Sequence, residues 1–213
     1  VTADPAARAP FGGHRQSQTS GAGSDCMETL PTGISVLDRE FGGGLPSGSV
    51  VVLKADPASQ SELIVERFSR PRTCRYLTTV RAADAVEPTL SLDDDADRET
   101  TVAETDREDP IEDVLAAASD LPDRGTLVID SIEPLEAVDG ARYGSFLTDL
   151  RQRVADADGV ALIHAFKTNT GENRRLTEQV ADVIFDLRTT VTSAEIVNRL
   201  IVPKFRGGAA LEE

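Results

Sequence analysis

Residues 51–68, "VVLKADPASQSELIVERF", decide the fold. A β-branched apolar run is followed by a short turn containing Pro57 and then by a segment with helical apolar spacing, which predicts a buried strand, a turn and a helix. Upstream, Ile34, Leu37 and Phe41 recur at helical spacing before a glycine-rich break at 42–48. A turn-rich entry therefore leads into a buried strand.

The rest of the chain alternates short apolar strands with helical patterns. Further strands are predicted at 74–80, 125–131, 159–166, 182–188 and 198–205. Helices are predicted at 59–69, at 110–121, where Pro110 suits a first turn, and at 141–156. Such alternation predicts an α/β fold, with a mostly parallel, twisted sheet covered by helices on both faces.

The chain has 213 residues, enough for one domain with a sizeable core. Residues 1–28 are rich in Ala, Gly, Ser, Thr and Pro and are interpreted as a disordered tail. Residues 29–213 then form the single domain, in which the polar, acidic segment 87–109 is expected to be a surface loop with at most one short strand.

The charge is strongly negative. The chain has 37 acidic and 22 basic residues, a net charge of −15, and only three of the basic residues are lysine. We interpret this as adaptation to a salt-rich cytoplasm, where salt screens the self-repulsion; an ordinary acidic protein is the alternative. The charge argues against a broad DNA-binding face.

Metal, disulfide and membrane functions are not indicated. Cys26 and Cys74 are isolated, and His14 has no partner ligand nearby, so no metal site is expected. No apolar window is long enough to span a bilayer, and no signal pattern opens the sequence. A soluble, cytoplasmic protein without membrane contact is expected.

Four stretches carry a family resemblance. "LPTGISVLDREFGGGLPSGSVVVL" resembles the opening of KaiC/GvpD-type RecA-like ATPases, and "TLVIDSIEPL" resembles their Walker B strand, which ends here at Asp130. "ALIHAFKTNTGENRRLTEQVADVIFDLR" and "NRLIVPKFRGG" resemble the later strands. The similarity covers about residues 30–208 and implies a RecA-like P-loop NTPase fold, although function must be argued from the site.

The phosphate-binding loop departs from that family at every signature position. A Walker A loop needs G-x-x-x-x-G-K-[ST], whose glycines, lysine and hydroxyl hold phosphate and Mg²⁺. The same frame here reads Ala55, Asp56, Pro57, Ala58, Ser59, Gln60, Ser61 and Glu62. Ser61 replaces the lysine, and Asp56 and Glu62 add negative charge that repels phosphate. Ser59 or Ser61, with Glu62, is suited to cap the helix, and Lys54 is the one nearby cation that could replace the lost lysine.

The catalytic positions are also altered. The resemblance implies an acidic pair after the second core strand, but Val80, Arg81 and Ala82 stand there, and Asp84 lies further on. Asp130 remains as a possible Mg²⁺ ligand; alternatively it is a strand-end aspartate retained for folding.

Other family positions are better preserved. Lys204 and Arg206 match the terminal Lys-x-Arg that reaches toward a neighbouring subunit's nucleotide, or they are solvated cations at a strand end. His164 matches a sensor position, with a hydrogen-bonded core-edge histidine as the simpler interpretation. Lys167, Arg174 and Arg175 lie where recombinases contact DNA, and supply local positive charge.

The sequence therefore favours a catalytically inactive RecA/KaiC-like regulatory protein, in transcription or signalling, that acts by assembling with itself, a RecA-like paralogue or a transcription component. No cofactor is expected. Two alternatives stay open: an ATPase with an unorthodox loop, which would use ATP and Mg²⁺ with Lys54 and Asp130, and a recombination or repair accessory protein that contacts single-stranded DNA through 166–175.

Overall fold

A computed structural model of the chain describes residues 28–90, 99–168, 170–191 and 196–206. The expected disordered tail lies outside the described residues, apart from Glu28. The strands are β1 (Thr29–Leu30), β2 (Leu45–Pro46), β3 (Ser49–Ala55), β4 (Cys74–Thr78), β5 (Thr100–Glu104), β6 (Thr126–Asp130), β7 (Val160–Phe166), β8 (Val183–Val191) and β9 (Ile196–Phe205). The helices are α1 (Ser35–Glu40), α2 (Glu62–Ser69), α3 (Ala83–Leu90), α4 (Pro110–Ser119), α5 (Glu133–Glu136), α6 (Gly140–Asp156) and α7 (Glu172–Val180).

The main sheet is mixed and mostly parallel. In the described ranges its order is β5-β4-β6-β7-β3-β8-β9, and only β9 runs antiparallel, paired with β8. Strands β1 and β2 form a separate antiparallel pair beside it. Strand β3 lies in the interior of the sheet and pairs in parallel with β7 on one side and β8 on the other. The α/β class expected from the alternating pattern is confirmed.

Helices cover both faces of the sheet because the central strands are apolar on both sides. Val50 and Val52 pack on the face covered by α4 and α6, where α7 also contributes Leu176 and Val180. Leu53, with Val51, packs on the opposite face, beneath α2 and α3. A strand buried on both faces reads as a continuous apolar run, as β3 does.

The predicted strands are all present, but the acidic segment is more ordered than expected. Residues 87–90 complete α3, and Thr100–Glu104 forms the edge strand β5, paired parallel to β4. The β-branched run at 100–102 explains this strand. Residues 91–98 lie outside the described residues.

Three helices were not predicted. Helix α3 contains Pro88, α5 has only four residues, and α7 is polar over most of its length. In the described part of the chain, no helix has both the length and the apolar character required to cross a bilayer.

Candidate functional site

The degenerate loop connects β3 to α2 at the carboxyl end of the sheet. Strand β3 ends at Ala55 and α2 begins at Glu62, three residues later than the helix predicted from the sequence. The amide of Ser59 donates to the carbonyl of Asp56, and Gln60, where the motif has its second glycine, has a φ of 57°. This left-handed conformation is one that favours glycine. The chain thus makes a tight turn here without the glycine.

The loop does not cap its helix with side chains. Ser61 makes no side-chain capping bond, and its buried hydroxyl has no hydrogen-bond partner among the described residues. The hydroxyl of Ser59 donates to the carbonyl of Asp56 within the turn. Glu62 is exposed in the first helical turn. The expectation that Ser59 or Ser61 caps α2 is therefore wrong.

The cations nearest the loop are engaged elsewhere. Lys54 Nζ lies 2.8 Å from Glu178 Oε1 of α7. Lys167 Nζ lies 2.6 Å from Asp186 Oδ1 and 3.6 Å from Asp56 Oδ2. Each lysine thus already has a carboxylate partner. Lys54 is not positioned as a free replacement for the lost Walker A lysine.

Asp130 is enclosed by three partners at the end of β6. Its Oδ2 accepts hydrogen bonds from the hydroxyl of Tyr76, at 2.6 Å, and from the guanidinium of Arg81. Its Oδ1 lies 2.7 Å from Nδ1 of His164, which donates when Asp130 is ionised. We call these four residues the Asp130 cluster. Both carboxylate oxygens are thus occupied by protein donors.

The electrostatics of this cluster favour a charged aspartate. Burial raises the pKa of Asp130, but the hydrogen bond and charge of His164, followed by Tyr76 and Arg81, outweigh burial and lower the pKa from 3.8 to about 2. Burial, followed by the charge and hydrogen bond of Asp130, raises the pKa of Tyr76, so its hydroxyl keeps its proton. Three of the roughly four lone-pair positions of the Asp130 carboxylate are filled, so a metal ion has to bind beside these donors or displace one of them.

His164 is buried, with 1% of its surface exposed. It bonds Asp130 through Nδ1, packs edge-on against Phe166, and leaves Nε2 buried without a partner among the described residues. This matches a hydrogen-bonded core-edge histidine, the simpler of the two interpretations. A sensor role stays a prediction.

Arg174 is not a surface cation. It is 3% exposed, and its guanidinium bonds Glu136 at 2.7 Å, Glu133 at 2.8 Å and the carbonyl of Phe166 at 2.7 Å. The expectation that Arg174 adds charge to a DNA-contacting loop is wrong, because Arg174 is buried and the carboxylates of Glu133 and Glu136 neutralise it. The neighbouring Arg175 is exposed.

Lys204 and Arg206 lie at the end of β9 against the end of α7. Lys204 Nζ donates to the carbonyls of Glu178 and Gln179, at 2.7 and 2.9 Å, and Arg206 donates to the carbonyl of Gln179 at 3.3 Å. Cations at a helix C-terminus are stabilised by the helix dipole. A role toward a neighbouring subunit stays a prediction.

The sequence identified Asp130 and His164 but missed their grouping with Tyr76 and Arg81. Arg81 stood out only as the residue that replaces an acid. Tyr76 could have been found from strand parity, since Thr78 is in register with Asp130 and Tyr76 points to the same face. Among the described residues, no group of three or more His, Cys, Asp or Glu residues is arranged to hold a metal ion.

Comparison with known proteins gives one family and no characterised relative. No curated protein matches the chain. Residues 29–213 match a family of unknown function, DUF7125, which spans all of the predicted domain and excludes the predicted tail. The chain therefore belongs to the DUF7125 family.

Proposed function

We propose that this protein is a RecA-like protein of the KaiC/GvpD type that no longer hydrolyses ATP and acts as a regulator by assembling with other proteins. Its partner is another copy of the chain, a RecA-like paralogue or a transcription component. The regulated process belongs to transcription or signalling. ATP and Mg²⁺ are not required for this function.

The contact between Arg81 and Asp130 carries the proposal. Catalysis of phosphoryl transfer needs a Walker B aspartate that is free to hold Mg²⁺ and an acidic residue that positions water. Here a guanidinium from the position of that acid is bonded to Asp130. One substitution thus removes the acid and places a cation on the metal-binding carboxylate.

The loop between β3 and α2 supports the same conclusion. It presents Asp56 and Glu62 where a phosphate-binding loop presents amides, a lysine and a hydroxyl. Two like unit charges about 4 Å apart repel by roughly 4 kcal/mol at an effective dielectric of 20. Lys54 and Lys167, which could offset this repulsion, already pair with Glu178 and Asp186.

Assembly is supported by the exposed edge of the sheet. In the described ranges β9 pairs with β8 alone, so its outer edge has unpaired backbone groups available to another chain. Lys204 and Arg206 lie at the end of this strand. The same edge strand therefore brings together main-chain groups and cations for a partner.

The test is equilibrium binding of a fluorescent ATP analogue with Mg²⁺, in molar KCl, with competition by unlabelled ATP. We expect no competable binding that depends on the loop or on Asp130, so any binding up to millimolar nucleotide should be equal in the wild-type chain and in Asp130→Asn. Circular dichroism of both proteins establishes that they are folded. Competable micromolar binding that Asp130→Asn abolishes would show that the loop functions and would overturn the proposal.

A further inference from the structure

A basic groove lies beside α7, on the side of the sheet away from the Asp130 cluster. It is a cavity of about 630 Å³ with four cations and one carboxylate in its wall. Its lining residues are Lys54, Arg175, Glu178, Gln179, Ile184, Pro203, Lys204 and Arg206. We call this cavity the α7 groove. A second cavity of about 710 Å³ shares Lys54, Arg175 and Glu178 with it and adds Lys167, so all three lysines of the chain line these two spaces.

Three cations of the groove lack an acidic partner. Within the described residues, Arg175, Lys204 and Arg206 have no carboxylate within ion-pair distance. The side-chain hydrogen bonds of Lys204 and Arg206 go to backbone carbonyls of α7. The one carboxylate in the wall, that of Glu178, is paired with Lys54. This is unusual in a chain where acidic residues outnumber basic ones by 37 to 22.

The surrounding charges do not remove this excess. Asp182, whose negative charge acts on Lys204, is bonded to Arg151 at 2.9 Å. Burial, followed by the charge of Arg206, lowers the pKa of Lys204. Like charges are thus held close together, and an anion placed between them relieves the repulsion.

The groove is open to solvent and has the volume of a small-molecule site. Its volume falls within the roughly 300–1,000 Å³ of ligand pockets, and Ile184 and Pro203 give it an apolar wall beside the charged groups. Arginine binds phosphate and carboxylate with two parallel hydrogen bonds, while Lys204 is held in place by two carbonyls. A long nucleic acid fits less well, because it must extend past the groove along a chain whose net charge is −15.

We infer that the α7 groove binds a small polyanion, a molecule with two or more phosphate or carboxylate groups, through Arg175, Lys204 and Arg206. No residue of the degenerate loop, 55–62, lines this groove, and the inference goes beyond the proposed function. Lys54 and Arg175 lie on the face of α7, whereas Tyr76, in contact with Asp130, packs on the face of α2 and α3.

The experiment is isothermal titration calorimetry of the full chain with inorganic tripolyphosphate and, separately, with citrate, at constant ionic strength in KCl. The test variant is Arg175→Gln/Arg206→Gln. The matched control is Arg67→Gln/Arg107→Gln, which removes the same charge from two exposed arginines outside the groove. We expect at least one anion to bind the wild type and the control equally, and the test variant about tenfold or more weakly.

The two probes distinguish a phosphate ligand from a carboxylate ligand, and either result supports the site. No binding of either anion at millimolar concentration would overturn the inference, as would equal weakening in the test and control variants.

ATP can enter the groove through its triphosphate. If ATP binding is lost in Arg175→Gln/Arg206→Gln and kept in Asp130→Asn, ATP binds in the groove. If it is kept in Arg175→Gln/Arg206→Gln and lost in Asp130→Asn, ATP binds at the loop, and the proposed function is overturned instead.

Discussion

At the scale of single residues, Asp130 shows how an aspartate at a strand end can hold neighbouring strands together. It is buried and ionised, with its charge balanced by Arg81 and by hydrogen bonds from Tyr76 and His164. Removing one partner of such a cluster leaves a buried polar or charged group uncompensated, which is costly. The cluster therefore links β4, β6 and β7.

Asp130→Asn is expected to destabilise the protein in a pH-dependent way. The folded pKa of about 2 lies below the 3.8 of an ordinary aspartate, so ionisation adds about 2 kcal/mol to the free energy of unfolding above the higher value. This term is lost as the pH falls through 3.8 toward 2. Urea unfolding of both proteins in molar KCl, from about pH 5 to pH 2, should show the difference between wild type and variant shrinking. A constant difference would contradict the charged state.

Arg174 and Arg175 are adjacent in sequence but should respond oppositely to substitution. Arg174→Met leaves Glu133 and Glu136 without their buried cation, and we expect a loss of about 3 kcal/mol in the free energy of unfolding. Arg175→Met removes an exposed charge and should change stability by less than about 0.5 kcal/mol. Urea unfolding measures both. Equal losses would contradict the buried network.

The two arginines also mark what the sequence could not predict. "ENRRLTEQV" contains two consecutive arginines, and nothing in the letters says which one points inward. The orientation follows from the helix phase of α7 against α5, which brings together residues about forty positions apart. Arg81 is similar, since its contact with Asp130 spans two strands. The sequence shows which residue types are present, but it does not show which distant residues they contact.

At the scale of elements, strands and helices were predicted correctly where the local residue pattern determines them. The apolar runs of β3, β6 and β7 and the first turn of α4 at Pro110 were readable because burial on both faces and proline geometry leave a local pattern. Helix α7 was missed because it is mostly polar and is held by tertiary contacts, the Arg174 network and the hydrogen bonds of Lys204.

The glycines before β2 give a prediction at this scale. Gly44 has a φ of 134°, and a Cβ there would lie 2.1 Å from the carbonyl oxygen of Leu30 in β1. Gly42 has a φ of 68° and no atom within 4 Å of such a Cβ. Gly42→Ala should therefore lower the free energy of unfolding only through backbone strain, by about 1 kcal/mol. Gly44→Ala adds a clash that separates β1 from β2 and should lower the free energy of unfolding by about 1–3 kcal/mol more.

Urea unfolding gives the two free energies, and hydrogen exchange at Leu30 and Leu45, which pair across β1 and β2, reports the local effect. Faster exchange at these amides in Gly44→Ala but not in Gly42→Ala is the expected result. If the two variants behave alike, the close approach of Gly44 to β1 is not the reason for glycine there.

At the scale of the whole molecule, the net charge of −15 is the dominant feature, and the basic α7 groove is a local exception to it. Self-repulsion of exposed charges opposes the compact state, and salt weakens it: the Debye length falls from about 10 Å at 0.1 M to about 3 Å at 1 M. The free energy of unfolding should therefore rise with KCl over this range and then level off.

A charge-reduced variant separates screening from other effects of salt. Glu99→Gln/Glu108→Gln/Asp149→Asn removes three exposed negative charges. If repulsion limits stability, this variant should exceed the wild type in free energy of unfolding at low KCl, and the two urea-unfolding curves should converge as KCl rises. If the free energies of unfolding of the two proteins instead rise in parallel with KCl, KCl acts through preferential exclusion from the protein surface. In that case the acidic composition does not lower the stability at low salt.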